Sequence, residues 1–100
     1  GYITTPVGAA AAALARGLVE SGAATCVNIV PLVTSVFAWK GAVETSDEAL
    51  LIVKTAGAAR CDAVTAYVRA HHSYECPEVI FVPITGGNPD YLAWLASGGR

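Results

Sequence analysis

His71 and His72 are the only histidines of the chain, and they are adjacent. Imidazole suits copper and other borderline divalent metals, so the pair is a candidate metal site. Neighbours on a helix point about 100° apart, and both rings reach one ion only where the helix has unwound. The same pair also suits a helix C-terminus, where imidazoles meet free carbonyls and the negative end of the macrodipole.

A second constellation is Trp39, Lys40, Lys54, Tyr74 and Glu78. Both lysines stand at or just beyond the ends of apolar stretches. One reading is a small-ligand cleft at a subunit boundary, with a lysine for an anion and aromatic walls. The other is a partly buried Lys54–Glu78 pair that fixes assembly geometry, with aromatics filling the interface. No catalytic residue stands out: there is no nucleophile elbow, no carboxylate pair of recognisable spacing, and no partner in sequence for either histidine. Thr85-Gly86-Gly87-Asn88 precedes a helix start but lacks the lysine and spacing of a phosphate loop, so it reads as a tight turn. An enzyme is not expected.

Cys26, Cys61 and Cys76 form no CxxC motif, and their odd number fits reduced thiols in the cytoplasm. Cys26 and Cys76 read as small, buried hydrophobes. The net charge of −2 and the scattered basic residues argue against nucleic acid. No apolar run approaches the roughly 18–20 residues of a membrane span.

The elements that must position these groups form one domain over residues 1–100. Tyr2-Ile3-Thr4-Thr5 reads as a short strand. Thr5-Pro6 reads as a helix start, an N-cap threonine followed by proline, with the helix running to Glu20 and stopped by Ser21-Gly22. A long apolar strand extends from Cys26 to Lys40, bent at Pro31 and turned at Gly41. A third begins at Val43 and ends in the continuous apolar run Ala49–Val53, as expected of a central strand. Thr55 caps a second helix with the inward stripe Cys61, Val64 and Val68, ending near His71-His72. Glu78–Ile84 reads as a fourth strand, and Asn88-Pro89 starts a short third helix carrying Tyr91, Trp94 and Leu95 as a docking stripe.

The order β-α-β-β-α-β-α predicts an α+β, ferredoxin-like split βαβ fold: a four-stranded antiparallel sheet, two helices on one face, and a short C-terminal helix. Strands usually run to about six residues, so the second is too long for one small domain to cover. With 54% apolar and 14% charged residues, the chain is also short of polar surface. Both facts predict association between copies.

These residues resemble the CutA family of divalent-cation tolerance proteins. The likeness runs through Tyr2-x-Thr4-Thr5, Ala24-x-Cys26-Val27-Asn28-Ile29-x-Pro31, Trp39-Lys40-Gly41 and Leu51-Ile52-x-Lys54-Thr55. It continues in His72-x-Tyr74-x-x-Pro77-Glu78 and Asn88-Pro89-x-Tyr91-x-x-Trp94-Leu95. The resemblance implies a homotrimer in which the extended second and third strands pair between subunits, an architecture similar to that of PII signal proteins. It implies a role in tolerance of copper and other divalent metals, with no established reaction, and His71-His72 resembles a histidine pair proposed as metal ligands in some members. Where some members carry a cysteine on the first strand, this chain has Ile3-Thr4-Thr5-Pro6, so any site left is a weaker, imidazole type. A second functional expectation is a PII-like signalling or scaffold module that takes a small ligand or partner protein at inter-subunit clefts.

Overall fold

The computed structural model describes residues 1–99. In chain order the elements are β1 (Tyr2–Thr5), α1 (Ala9–Glu20), β2 (Cys26–Trp39), β3 (Ala42–Lys54), α2 (Ala58–His71) and α3 (Pro89–Ala96). The strands form an antiparallel sheet in the order β1-β3-β2. The continuous apolar end of β3 is central, flanked by β1 at Ala49–Ile52 and by β2 along its whole length.

The β2–β3 hairpin follows from local chemistry. Lys40 (φ 48°) and Gly41 (φ 81°) make a two-residue turn with both residues left-handed, the twist that matches flanking strands. At the other bend, Val30 pairs with Leu50 but Val33 with Glu48, so Pro31 and Leu32 together oppose Ala49. This β-bulge places the proline where no ladder hydrogen bond is required of it.

Helices α1 and α2 cover the inner part of the sheet. Ala11, Leu14, Ala15 and Leu18 of α1 and Val64 and Val68 of α2 close over Ile3, Ala49, Leu51 and Val53. Full burial of each large aliphatic side chain there contributes about 1.5–3 kcal/mol. The outer hairpin has no such cover: Val36 is 67% and Val43 77% exposed. The chain measures 44 × 25 × 23 Å and exposes 6164 Å². A compact monomer of its mass would expose about 5,300 Å².

Three sequence expectations are corrected. The sheet has three strands, because Glu78–Ile84 meets β1 through a single bridge, Tyr2↔Ile80. The next ladder position is pre-empted: the Thr4 carbonyl already accepts a bond from His72 Nε2 at 2.8 Å. Neither threonine caps a helix. The N-caps are Gly8 and Gly57, while the Thr5 and Thr55 hydroxyls donate to the carbonyls of Pro6 and Ala23 at 2.7 Å each. Asn88 does cap α3, its Oδ1 accepting from the Asp90 N–H at 3.1 Å. Finally, the cysteines are not core residues: Cys26 and Cys61 are half-buried and Cys76 is exposed.

Gly17 lies where α1 meets α2, and a Cβ there would fall within contact distance of the Tyr67 ring and hydroxyl. At an open helix position Gly→Ala would stabilise by up to about 1 kcal/mol. Here the overpacking term, about 1–3 kcal/mol, exceeds it. Gly17→Ala should therefore lower the denaturation midpoint, and a raised midpoint would show that α1 and α2 are not in such close contact.

Candidate functional site

At the end of α2 the two histidines part company. His71 is the last helical residue; its ring stacks on Tyr67, and its Nδ1 lies 2.8 Å from the Tyr67 carbonyl. A carbonyl only accepts, so Nδ1 carries the proton and the exposed Nε2 keeps its lone pair. His72 is the C-cap, in extended conformation. Its Nδ1 accepts the Tyr74 N–H at 3.1 Å, which puts the ring proton on Nε2, the donor to Thr4. Both nitrogens of His72 are thus committed within the chain. A shared ion would have to break at least one of the His72 bonds, and among the described residues no three His, Cys, Asp or Glu side chains converge on one point. The residues present do not build a closed metal site in one protomer.

The extended turn at His72 carries the chain across the end of β1 toward the hairpin. Tyr74 then donates its hydroxyl to Glu48 Oε2 at 2.9 Å. Glu48 is 5% exposed, and it and Thr5 are the buried polar side chains of the described residues. The Tyr74 phenol is pushed from its ordinary value near 10.0 up to about 12, first by partial burial and then by its bond to the Glu48 carboxylate. The segment 73–78 and the outer hairpin enclose a groove of about 910 Å³, walled by Phe37, Trp39 and Tyr74 and edged by Glu44, Glu75 and Glu78. Ser35 faces Ser46, and Phe37 faces Glu44, in the β2–β3 register, which sets these side chains on one side.

Of the five cleft residues read from sequence, Trp39, Tyr74 and Glu78 do line this groove. Lys40 stands at its end, with Nζ 3.9 Å from Glu75 Oε2 and 5.5 Å from the Trp39 ring centroid. Lys54 is elsewhere, 5.7 Å over the Tyr91 ring, so the Lys54–Glu78 pair does not form. A lysine-lined anion cleft is not what the groove presents, because its polar lining is acidic. Glu44, Glu48 and Glu75 were missed by sequence reasoning. The signal was there for two of them: Glu44, Ser46 and Glu48 recur at a period of two, placing them on one face of a strand. Of the aromatic stripe on α3, Leu95 is buried while Tyr91 and Trp94 stay 39% and 38% exposed.

The family described as CutA1 divalent ion tolerance protein matches residues 1–98. The protein CutA homolog of Xenopus laevis is 48% identical over 94 residues, which is 94% of this chain and 62% of that relative. The chain therefore spans less than two thirds of that relative's length. Among solved structures, the divalent cation tolerance protein of Thermus thermophilus superposes with a TM-score of 0.93 at 40% identity, covering 99% of this chain and 95% of that one. A protein of Nostoc sp. PCC 7120 described as PII-like CutA shares the fold with a TM-score of 0.87 at 24% identity, covering 99% and 94% of the two chains.

The Tyr74–Glu48 bond sets a pH dependence. Because the folded phenol holds its proton to higher pH than the unfolded one, its contribution to stability is complete below pH 10 and is lost as pH rises toward about 12. In an alkaline titration followed by tyrosinate absorbance, one of the four tyrosines should ionise last. Glu48→Gln should bring it back toward the others. Parent protein in which all four ionise together would remove the bond.

Proposed function

Since the chain belongs to the CutA1 divalent ion tolerance family, we propose that it acts in the response to copper or other divalent metals as a cytoplasmic homotrimer. The observation that carries the assembly is the apolar surface one folded copy leaves open. On the hairpin this is Leu32, Val36 and Val43; beyond β1 it is Ile80, Val82 and Ile84, each more than half exposed. Those six do not form an ordinary scatter of surface hydrophobes. Ile80, Val82 and Ile84 lie on a segment that, among the described residues, is bridged once to its neighbour, an edge that can take another copy's strand. Three copies that cover one another remove both liabilities, and the family likeness supplies the number three.

Metal binding in this reading is weak and runs through His71 Nε2, the imidazole nitrogen left without a partner among the described residues. One neutral imidazole at a surface makes a low-affinity site that samples ion concentration and does not sequester the ion. His72 supports it indirectly by ending the helix where His71 faces solvent. The three free cysteines support a reducing compartment.

Two measurements test the reading separately. Sedimentation velocity should find a trimer for the parent chain and for Ala9→Asp, and a smaller species for Phe37→Asp. A folded monomer of 10.2 kDa at micromolar concentration would end the assembly proposal. Copper(II) titration should show weak binding that His71→Ala abolishes and His72→Ala retains. Equal binding by the parent and His71→Ala would rule out the site.

A further inference from the structure

The two adjacent histidines carry their protons on opposite nitrogens, Nδ1 in His71 and Nε2 in His72. For His72 the choice is made twice, by the Thr4 carbonyl that accepts and the Tyr74 N–H that donates. His71 has one such bond, to the Tyr67 carbonyl, in an exposed position where water competes for it. A second contact with the same residue supports that bond. The His71 and Tyr67 rings lie face to face, centroids 4.0 Å apart and planes 16° apart.

Tyr67 is itself held in place. It stands one helical turn before His71, on the same side of α2. Its ring packs against the core, and its hydroxyl end lies against Gly17 of α1, where any Cβ would collide with it. A phenol wedged in this way offers the imidazole a stationary flat face. Beside the pair is a cavity of about 250 Å³ between Pro6, Ala13, Leu14 and Tyr67. Among the described residues no Asp, Glu, Lys or Arg lines it, so no charged side chain competes for His71 Nε2. None of its lining residues belongs to the apolar hairpin and edge surfaces that another copy would cover.

A neutral imidazole can carry its proton on either nitrogen, and only the bare one ligates a metal. A donated Nδ1–H also makes Nε2 the better electron donor, as outer partners of metal-bound histidines do. We infer that Tyr67 is a positioning residue for His71: its ring holds the imidazole on the helix carbonyl, which fixes the Nδ1–H tautomer and commits Nε2 to the metal. This rests on the weak copper(II) site proposed above and adds what sets its strength.

Long-range proton–nitrogen spectra of the metal-free full chain at about pH 8, where a free imidazole is neutral, read both tautomers directly. Calorimetric copper(II) titration then reads affinity. Parent and Tyr67→Phe should show opposite tautomers in the two histidines. In Tyr67→Leu the His71 signals should move toward a mixture while those of His72 stay, and copper(II) should bind about tenfold more weakly. Val64→Ala, at a fully buried position of the same helix, should lower the denaturation midpoint yet leave tautomers and affinity unchanged. Equal weakening in Val64→Ala and Tyr67→Leu would reduce Tyr67 to a packing role and overturn the inference. So would a Tyr67→Leu variant that keeps the parental His71 tautomer and affinity, which leaves the metal site standing. Copper(II) binding that His71→Ala does not change removes the metal site, and the inference with it; the tautomer spectra tell this case from the other two.

Discussion

The β2–β3 ladder is longer than the helices that lie over it, and the rest of the molecule answers to that mismatch. Backbone pairing runs unbroken in sense from Cys26↔Lys54 to Trp39↔Ala42, interrupted only by the bulge at Pro31 and Leu32. The main-chain groups that face the partner strand are therefore paired out to the tip, although the outer edge of β2 has no neighbouring strand among the described residues. Side chains follow a different rule. From Ala49 to Val53 they meet α1 and α2, whereas beyond the bulge they meet solvent, segment 73–78, or another molecule.

Segment 73–78 is placed by one imidazole. His72 donates to the Thr4 carbonyl and accepts from the Tyr74 N–H, so it joins β1 to the turn that follows α2. That arrangement occupies the acceptor a fourth strand would need, and it aims Tyr74 at Glu48. A residue whose type suggested metal chemistry thus acts chiefly on structure. The nearby carboxylate, unremarkable in sequence, becomes the most heavily desolvated charge among the described residues. The division of labour between His71 and His72 comes from backbone conformation: one is the last helical residue and the other is already extended.

Much of this was legible beforehand because the signals were local. The period-two alternation of β2 and β3, the Lys40-Gly41 turn, the proline bend and the Asn88-Pro89 start of α3 each depend on residues a few positions apart. The threonine caps failed for a reason that is not local. Thr5 and Thr55 had suitable chemistry, but carbonyls of Pro6 and Ala23 claimed their hydroxyls, and the caps passed to Gly8 and Gly57 downstream. Glu78–Ile84 had the composition of a strand, yet its pairing depended on whether Thr4 was free.

Sequence alone settled the family, the order of most elements, and the excess of apolar surface, since hydrophobic periodicity, turn chemistry and composition are carried residue by residue along the chain. Which polar groups meet was decided only by the tertiary structure. Lys54 went to Tyr91 and not to Glu78, His72 to Thr4, and Tyr74 to Glu48. Such pairs join residues between 26 and 68 positions apart where a hydrogen bond is formed. Their formation turns on distances of a few tenths of an ångström that no pattern of residue types encodes, because hydrogen bonding falls off steeply with distance and angle.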